Sequence, residues 1–498
     1  MEKKTFSILS NKAFYIPIIL LSIYFIIRLI DTSKIMWIFP FDFTNDISSH
    51  MAKVYFLAQY GFHQLVPYWY NGYVLFKFYP PAWFYFTLPV YYLTKNIQVA
   101  TFISILLIYA LGFIAISIFG KNENISFVKS IAFFLLFFAN PLAIGQLLRV
   151  GRVTELFAWL MLIPFAIIIF HYKNRKIDSK FFLIIIFYGI MLLSHQVVFI
   201  ISSFLLLSLI LAKIKQKREL FKIASNIALT AILTSFWWFP FIRDISQSSI
   251  MNTKYNFGHR LLEFNKELLV ENTISLIIPI AFLILFYFYW TGKNKSKKEL
   301  LFFLPEITIA VLFLLRIVAF IPVLSFIYPD VYNMFLLFFS IYFLLKTEFN
   351  KSIKKYISIS LILVIILGIT ISIVYTPWFA KNTELDKDTI SIFPYVEGRF
   401  IMVGYEESYG KAFYSYAPIY YNLETASGWS QQEVNSEYLN LLRTTRLEFD
   451  NKNCEGFINA IKEINITYVI SQGNYCNFLK NCNLNEKIIK GEVCLYLV

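Results

Sequence analysis

Asp46 and His50 stand four residues apart at the head of the stretch NDISSHMAKVYFLAQYGFHQLVPYWYNGYVLFKFYPP, which runs from Asn45 to Pro81. At that spacing the two side chains share one face of a helix. A carboxylate there can take the proton of an acceptor hydroxyl, or bind a divalent ion such as Mg or Mn that holds a phosphate. Asp46 also precedes a helical-looking run, where Asp is a common N-cap, and no obvious basic residue sits beside it in the sequence to neutralise it.

A second group lies in Gln146-Leu-Leu-Arg-Val-Gly-Arg-Val-Thr-Glu155, where Arg149, Arg152 and Glu155 recur every third residue. Arginines at that spacing can clamp a phosphate, and Glu155 could share a metal with Asp46. The bland alternative is a surface loop whose arginines meet lipid headgroups. His195 sits in LLSHQVVF and Arg316 in LFLLRIVAF. An ionisable group inside an apolar run is expensive and usually faces a polar cavity, though Arg316 is near enough to a span end to snorkel. Arg243, Asp244, His259 and Arg260 populate a longer loop that could close over a substrate or simply be solvated. Asp330 and Asn333 in YPDVYNM read as helix-start residues.

The elements that must position these groups are membrane spans. The 498 residues are 58% hydrophobic and 19% aromatic, with a mean hydropathy of +0.61, far above the soluble average. Apolar runs near the ~20 residues needed to cross a bilayer fall at 13–30, 98–119, 127–145, 156–171, 181–194, 197–212, 222–241, 273–290, 300–318, 331–345 and 356–376, which makes eleven crossings. The first run lacks the features of a cleaved signal and is expected to be a retained anchor. Residues 82–94 are too short to count; with Pro89 inside them they read as an interfacial or re-entrant helix, and a short crossing is the competing reading. The expected organisation is a transmembrane domain over 1–376, with a large outer loop at 31–97, and an extracytoplasmic domain over 377–498. In the latter, strands near Phe400–Val403 and Thr467–Ile470 and a helix near Cys454–Ile464 suggest a small α/β layer.

The net charge of +14 is uneven. Residues 377–498 carry 11 Lys+Arg against 15 Asp+Glu, so the remainder holds 34 against 16, a surplus of 18. The amino-terminal segment and alternate loops hold 22 of those basic residues, while the four short opposite loops hold six. This bias places the amino terminus in the cytoplasm and the carboxyl domain outside. Scattered over short loops, the charge forms no patch for nucleic acid. Cys454, Cys476, Cys482 and Cys494 all lie in the last 45 residues, with the spacing C-x21-C-x5-C-x11-C. That spacing lacks zinc knuckles, and two disulfides in an oxidising compartment are the better reading, with free thiols as the alternative; the pairing is not deducible.

The acidic residue and histidine after the first span, the FYPP run, Gly151-Arg-Val-Thr-Glu155, the Ser194-His-Gln turn and Ser-Phe-Trp-Trp-Phe-Pro-Phe over 235–241 resemble the GT-C superfamily. These are integral-membrane glycosyltransferases that use polyprenyl-phosphate sugars. Within it, the chain is most similar to the archaeal and bacterial "6-pyruvoyl-tetrahydropterin synthase-related" membrane proteins, although nothing in it looks like a soluble zinc-dependent pterin enzyme. The resemblance extends into ASGWSQQEVNSEYLNLL and INITYVI.

It implies a GT-C-like bundle in which Asp46 is the catalytic carboxylate. His50, Glu155 and His195 would line the cavity or assist a metal, and Arg149, Arg152 or Arg316 would hold the departing lipid phosphate. The implied reaction is inverting displacement at the anomeric carbon, with an extracytoplasmic glycan, lipid or protein as acceptor. Related chains carry a basic residue after the proline of the Tyr328–Met334 segment, where this chain has Asp330. A transporter or flippase of lipid-linked glycans, or a silent envelope-assembly subunit, is the alternative. A transporter's polar groups would sit nearer the bilayer midplane.

Overall fold

The computed structural model describes residues 6–8, 12–39, 45–245, 257–263, 265–266, 268–292, 297–375, 381–429, 431 and 434–498. The expected boundary at 376/377 and part of the loop after Asp244 lie outside them.

Among the described residues there are nineteen α-helices. Fourteen precede residue 376: α1 Tyr15–Thr32, α2 Asn45–Tyr60, α3 Ala82–Thr94, α4 Ile97–Asn122, α5 Phe127–Phe138, α6 Ile144–Val150, α7 Val153–Tyr172, α8 Leu183–Leu192, α9 Gln196–Ala212, α10 Lys217–Asp244, α11 Leu269–Thr291, α12 Lys297–Leu314, α13 Pro329–Lys346 and α14 Lys351–Tyr375. Each of the eleven expected spans falls on a helix. Six helices are long and apolar enough to cross a membrane by length and composition, and the chain is a multi-pass membrane protein.

The bundle is sorted by burial. Helices α7 and α13 are buried almost throughout, while α1, α10 and α14 turn apolar side chains such as Ile19, Ile232 and Leu363 outward. An apolar exterior is stable in contact with lipid and not with water.

Two spans end well short of expectation. Helix α5 ends at Phe138 rather than 145, because Asn140 caps it. The Asn140 amide donates to the carbonyls of Leu136 and Phe137, and its Oδ1 accepts from Leu142 and Ala143. Helix α12 ends at Leu314, so Arg316 (φ +63°) lies beyond the helix rather than within it. Residues 82–94 form the separate helix α3, which packs between α2 and α4 and leaves Leu93 exposed. At 13 residues it spans about 20 Å, short of a ~30 Å hydrocarbon core.

The carboxyl-terminal part adds α15 Glu384–Ile392, α16 Glu407–Tyr421, α17 Ser436–Asp450, α18 Cys454–Glu463 and α19 Asn474–Asn481. Strands β1 Phe6–Ser7 and β4 Glu348–Phe349 pair near the amino terminus, and β2 Leu65–Val66 and β3 Tyr73–Val74 form a hairpin after α2. The main sheet runs β5-β6-β8-β7, from β5 Phe400–Met402, β6 Tyr468–Gln472, β7 Asn485–Lys490 and β8 Val493–Leu497. Its β5–β6 pair is parallel with Ile401 opposite Val469, and the other pairs are antiparallel. The two expected strands and the helix are present. Disulfides Cys454–Cys482 and Cys476–Cys494 tie α18 to the end of α19, and α19 to β8.

This part is clamped onto the hairpin. The Tyr68 carbonyl accepts from Thr425 N (2.6 Å) and Oγ1 (2.9 Å), Trp69 Nε1 donates to the Tyr414 carbonyl (2.7 Å), and the Tyr70 hydroxyl donates to the Gly428 carbonyl (2.6 Å). A Cβ on Gly428 would stand 2.6 Å from the Trp69 ring, so only glycine lets the two surfaces close.

Candidate active site

The site grows from the first turn of α2. Helix α2 carries Asp46, His50 and Lys53 on one face, and the α6–α7 link presses against its start. Gly151 takes φ +80°, and a Cβ there would lie 2.6 Å from the Ile47 backbone nitrogen. The glycine thus permits both the left-handed turn and the contact, and it sets Arg152 beside Asp46.

Arg152 joins two acids from distant parts of the chain. Its Nη1 is 2.7 Å from Asp330 Oδ2 and 3.3 Å from Glu155 Oε2, and its guanidinium lies over the Tyr328 ring at 4.5 Å. Glu155 also accepts from Trp159 Nε1 at 3.1 Å. Pro329 opens α13 and places Asp330 in its first turn, where an acid also favours the helix dipole.

Asp46 itself makes no hydrogen bond or ion pair through its carboxylate among the described residues. Burial pushes its pKa up to about 6, against the pull of Arg152, Lys411 and Lys53. The sequence shows no basic neighbour for Asp46; the fold supplies three, one of them from the carboxyl-terminal domain.

His50 is buried against the rings of Tyr79, Trp83 and Phe84, at 5.6, 5.8 and 5.6 Å, and both its ring nitrogens lack a hydrogen-bond partner. Burial first, then the charge of Lys53, holds it neutral. His195 starts α9; its Nε2 stands 4.0 Å from Glu155 Oε2, beyond hydrogen-bond reach, and its buried Nδ1 has no partner. Burial and the charge of Arg152 push its pKa down to about 3. Buried polar atoms without partners are rare in native structures, and each calls for a ligand, a water or a function.

The FYPP run frames this space. Trp237 Nε1 donates to the carbonyls of Phe76 and Tyr79 (both 3.1 Å), the Ala82 N–H bonds the Leu193 carbonyl at 2.7 Å, and the Tyr79 hydroxyl is 3.1 Å from Thr154 Oγ1. The Trp-Trp span, the FYPP run and the Ser-His-Gln turn are one structural unit.

Asp46, His50, Arg152, Glu155 and His195 therefore converge. Arg149 is exposed at the end of α6, and Asp330, Arg152, Glu271 and Arg260 are the charges that bear on it. Arg316 does not join them: it donates to Ser275 Oγ at 2.8 Å and to the Asn272 carbonyl at 3.1 Å, tying the end of α12 to α11. Of the loop residues, Asp244 pairs with Lys77 and Arg243, and Arg260 with Glu271. Sequence reasoning read Asp330 as a cap and passed over Lys53, Tyr328, Trp159 and Lys411.

Asp46 and Glu155 were candidate metal ligands. Among the described residues no three His, Cys, Asp or Glu side chains are placed to hold one metal ion, and Glu155 and Asp330 both bind the Arg152 guanidinium. The site as it stands does not fit a divalent ion.

This fold is that of a multi-pass helical membrane protein with a small carboxyl-terminal α/β part, and known structures share it. An oligosaccharyltransferase from Archaeoglobus fulgidus, tethered to an acceptor peptide containing the NVT sequon, aligns with a TM-score of 0.52 at 10% identity, over 91% of this chain and 69% of its own. ArnT from Cupriavidus metallidurans, bound to undecaprenyl phosphate, aligns with a TM-score of 0.53 at 11% identity, over 96% and 97%. At such identities the likeness concerns the fold alone. None of the curated proteins compared with the chain matches it. Residues 76–379 match the family described as "6-pyruvoyl-tetrahydropterin synthase related domain; membrane protein", and the chain belongs to that family.

Proposed function

We propose that this chain is a membrane glycosyltransferase that moves a sugar from a polyprenyl-phosphate donor to an acceptor outside the cell, with Asp46 as general base. One observation carries the reading. A carboxylate without a bonded partner among the described residues stands beside an arginine–acid cluster and two neutral histidines with buried, unsatisfied nitrogens. The orientation, with the amino terminus in the cytoplasm and the carboxyl-terminal domain outside, rests on the loop-charge bias and on the two disulfides.

In this mechanism Asp46 takes the proton of the acceptor hydroxyl as its oxygen attacks the anomeric carbon. The bond from that carbon to the phosphate oxygen breaks on the opposite face, and the anomeric configuration inverts. The lipid phosphate leaves with the electron pair, and Arg149 and Arg152 receive its charge. Asp330 and Glu155 hold Arg152 in place, so the clamp needs no reorganisation. Neutral His50 and His195 can donate or accept single hydrogen bonds to sugar hydroxyls without adding charge. The structural relatives bound to an acceptor peptide and to undecaprenyl phosphate support the general kind of donor and acceptor; the sugar stays unspecified.

Glycan mass spectrometry of a deletion strain tests the reading. One sugar residue of an envelope glycan, glycolipid or glycoprotein should disappear and return with the wild-type chain. An unchanged profile would favour a flippase or a silent subunit.

A further inference from the structure

Four Asn-x-Ser/Thr triplets occur in the chain: Asn124-Ile-Ser126, Asn294-Lys-Ser296, Asn350-Lys-Ser352 and Asn465-Ile-Thr467. The first three fall in the basic loops that the charge bias puts in the cytoplasm, and the same bias puts Asn465-Ile-Thr467 outside. This last triplet also lies within the loop closed by the Cys454–Cys482 disulfide, a bridge suited to an oxidising compartment.

The fold turns the triplet's polar groups outward. Asn465 follows the end of α18 in a left-handed turn (φ +54°), with its backbone N–H on the Lys462 carbonyl at 3.0 Å. Ile466 points inward and is buried, and Thr467 points out again just before β6, the alternation of an extended chain. The Thr467 backbone is fixed on both sides. Its N–H donates to the Arg399 carbonyl at 2.9 Å, and its carbonyl accepts from the Val498 N–H at 3.0 Å. Asn465 and Thr467 are both exposed, and neither side chain makes a hydrogen bond among the described residues. Asparagine is a common left-handed residue after a helix, which accounts for Asn465 on structural grounds. A helix stop needs no hydroxyl two residues further on.

We propose that Asn465 is an N-glycosylation site, which takes a glycan from a lipid-phosphate-linked donor by the action of a separate transferring enzyme. In that step the Asn465 Nδ2 bonds the anomeric carbon and the bond from that carbon to the phosphate oxygen breaks. The lipid phosphate leaves with the electron pair, and one amide proton passes to a base of that enzyme. The glycan stands beside the seam with the β2–β3 hairpin, where Asn71 Nδ2 donates to the Ile464 carbonyl at 3.1 Å, and adds a bulky hydrophilic cover there. The proposal rests on the outward orientation of the carboxyl-terminal domain and not on the role of Asp46.

The test is mass spectrometry of the full chain purified from the membranes of the cells that naturally make it. After reduction, the peptide containing Asn465 should carry the added mass of a glycan in most molecules. N465Q and T467V should lose that mass and T467S should keep it. Retention of both disulfides in N465Q and T467V reports that the domain is folded. An unmodified Asn465 in the wild type, or a glycan that persists in T467V, overturns the proposal. Labelling of N465C on intact cells with a membrane-impermeant maleimide separates the causes of failure. Labelling from outside, with an unmodified wild type, sinks the glycan alone; labelling only after the cells are ruptured sinks the orientation with it. A glycan on Asn465 in cells whose envelope glycans do not depend on this chain supports the site and counts against the transfer reading.

Discussion

The two ends of the helix bundle handle their polar groups differently. At the end nearest β1 and β4 the charged groups are paired, and the buried atoms left without a partner there among the described residues, Thr347 Oγ1 and Trp290 Nε1, are neutral. Lys173 pairs with Glu299 at 3.3 Å, the Tyr289 hydroxyl donates to Glu299 at 2.7 Å, the Tyr342 hydroxyl donates to Glu123 at 2.9 Å, and Lys129 reaches the Leu345 carbonyl at 2.6 Å. At the end covered by the carboxyl-terminal domain, the Asp46 carboxylate has no bonded partner among the described residues, and three imidazole nitrogens of His50 and His195 are buried without one. Closed networks pin helices together, while open ones carry a cost that evolution retains only where a ligand completes them. The bundle separates fastening from chemistry along its length.

The largest effect expected at the open end comes from Arg152. Its removal takes away the cation that Asp330 and Glu155 share, which costs about 3–5 kcal/mol. R152M should therefore lower the unfolding midpoint in nanodiscs by many degrees and abolish binding of undecaprenyl phosphate. Retention of both would remove Arg152 from the centre of the site. Gly151 comes next. G151A meets both a positive φ and a 2.6 Å approach to Ile47, so it should cost about 1–3 kcal/mol and reduce transfer by displacing α2.

Asp46 supplies a test with the opposite sign. Its folded pKa of about 6 lies above the ordinary value of 3.8, so this group favours folding below pH 3.8 and loses that contribution as pH rises through 6. D46N should stabilise the protein at pH 7.5 by roughly 3 kcal/mol and be neutral near pH 3.5. Thermal unfolding at the two pH values checks it. For the same reason transfer should rise as pH passes 6, when the carboxylate becomes the dominant form. The smallest effect belongs to the closed end. Y342F removes one bond to Glu123 and should cost about 1 kcal/mol, with the transfer rate unchanged; a large rate loss there would erase the contrast between the two ends.

Much of this was legible in the sequence where the signal is local. The spans follow from apolar length, the Arg152 and Glu155 pair from a spacing of three, and the cysteine framework from clustering in the last 45 residues. The boundaries that went astray, at Phe138 and Leu314, depend on one capping asparagine and one left-handed residue inside apolar runs. The partners of the site were hidden for another reason. Asp330 lies 178 residues from Arg152, and Lys411 sits on a helix of another domain. Nothing in the local pattern marks a residue whose role comes from what the fold brings to it. Asp330 looked like a cap because it also occupies the first turn of a helix begun by a proline.

The central claim is that the Asp46 carboxylate takes the acceptor's proton. Purified wild-type and D46N protein in nanodiscs, given the polyprenyl-phosphate sugar and the acceptor found by glycan profiling, measure it directly. Loss of transfer by about 10²–10⁴-fold, with donor binding unchanged, is the predicted result. Transfer by D46N at the wild-type rate would contradict it.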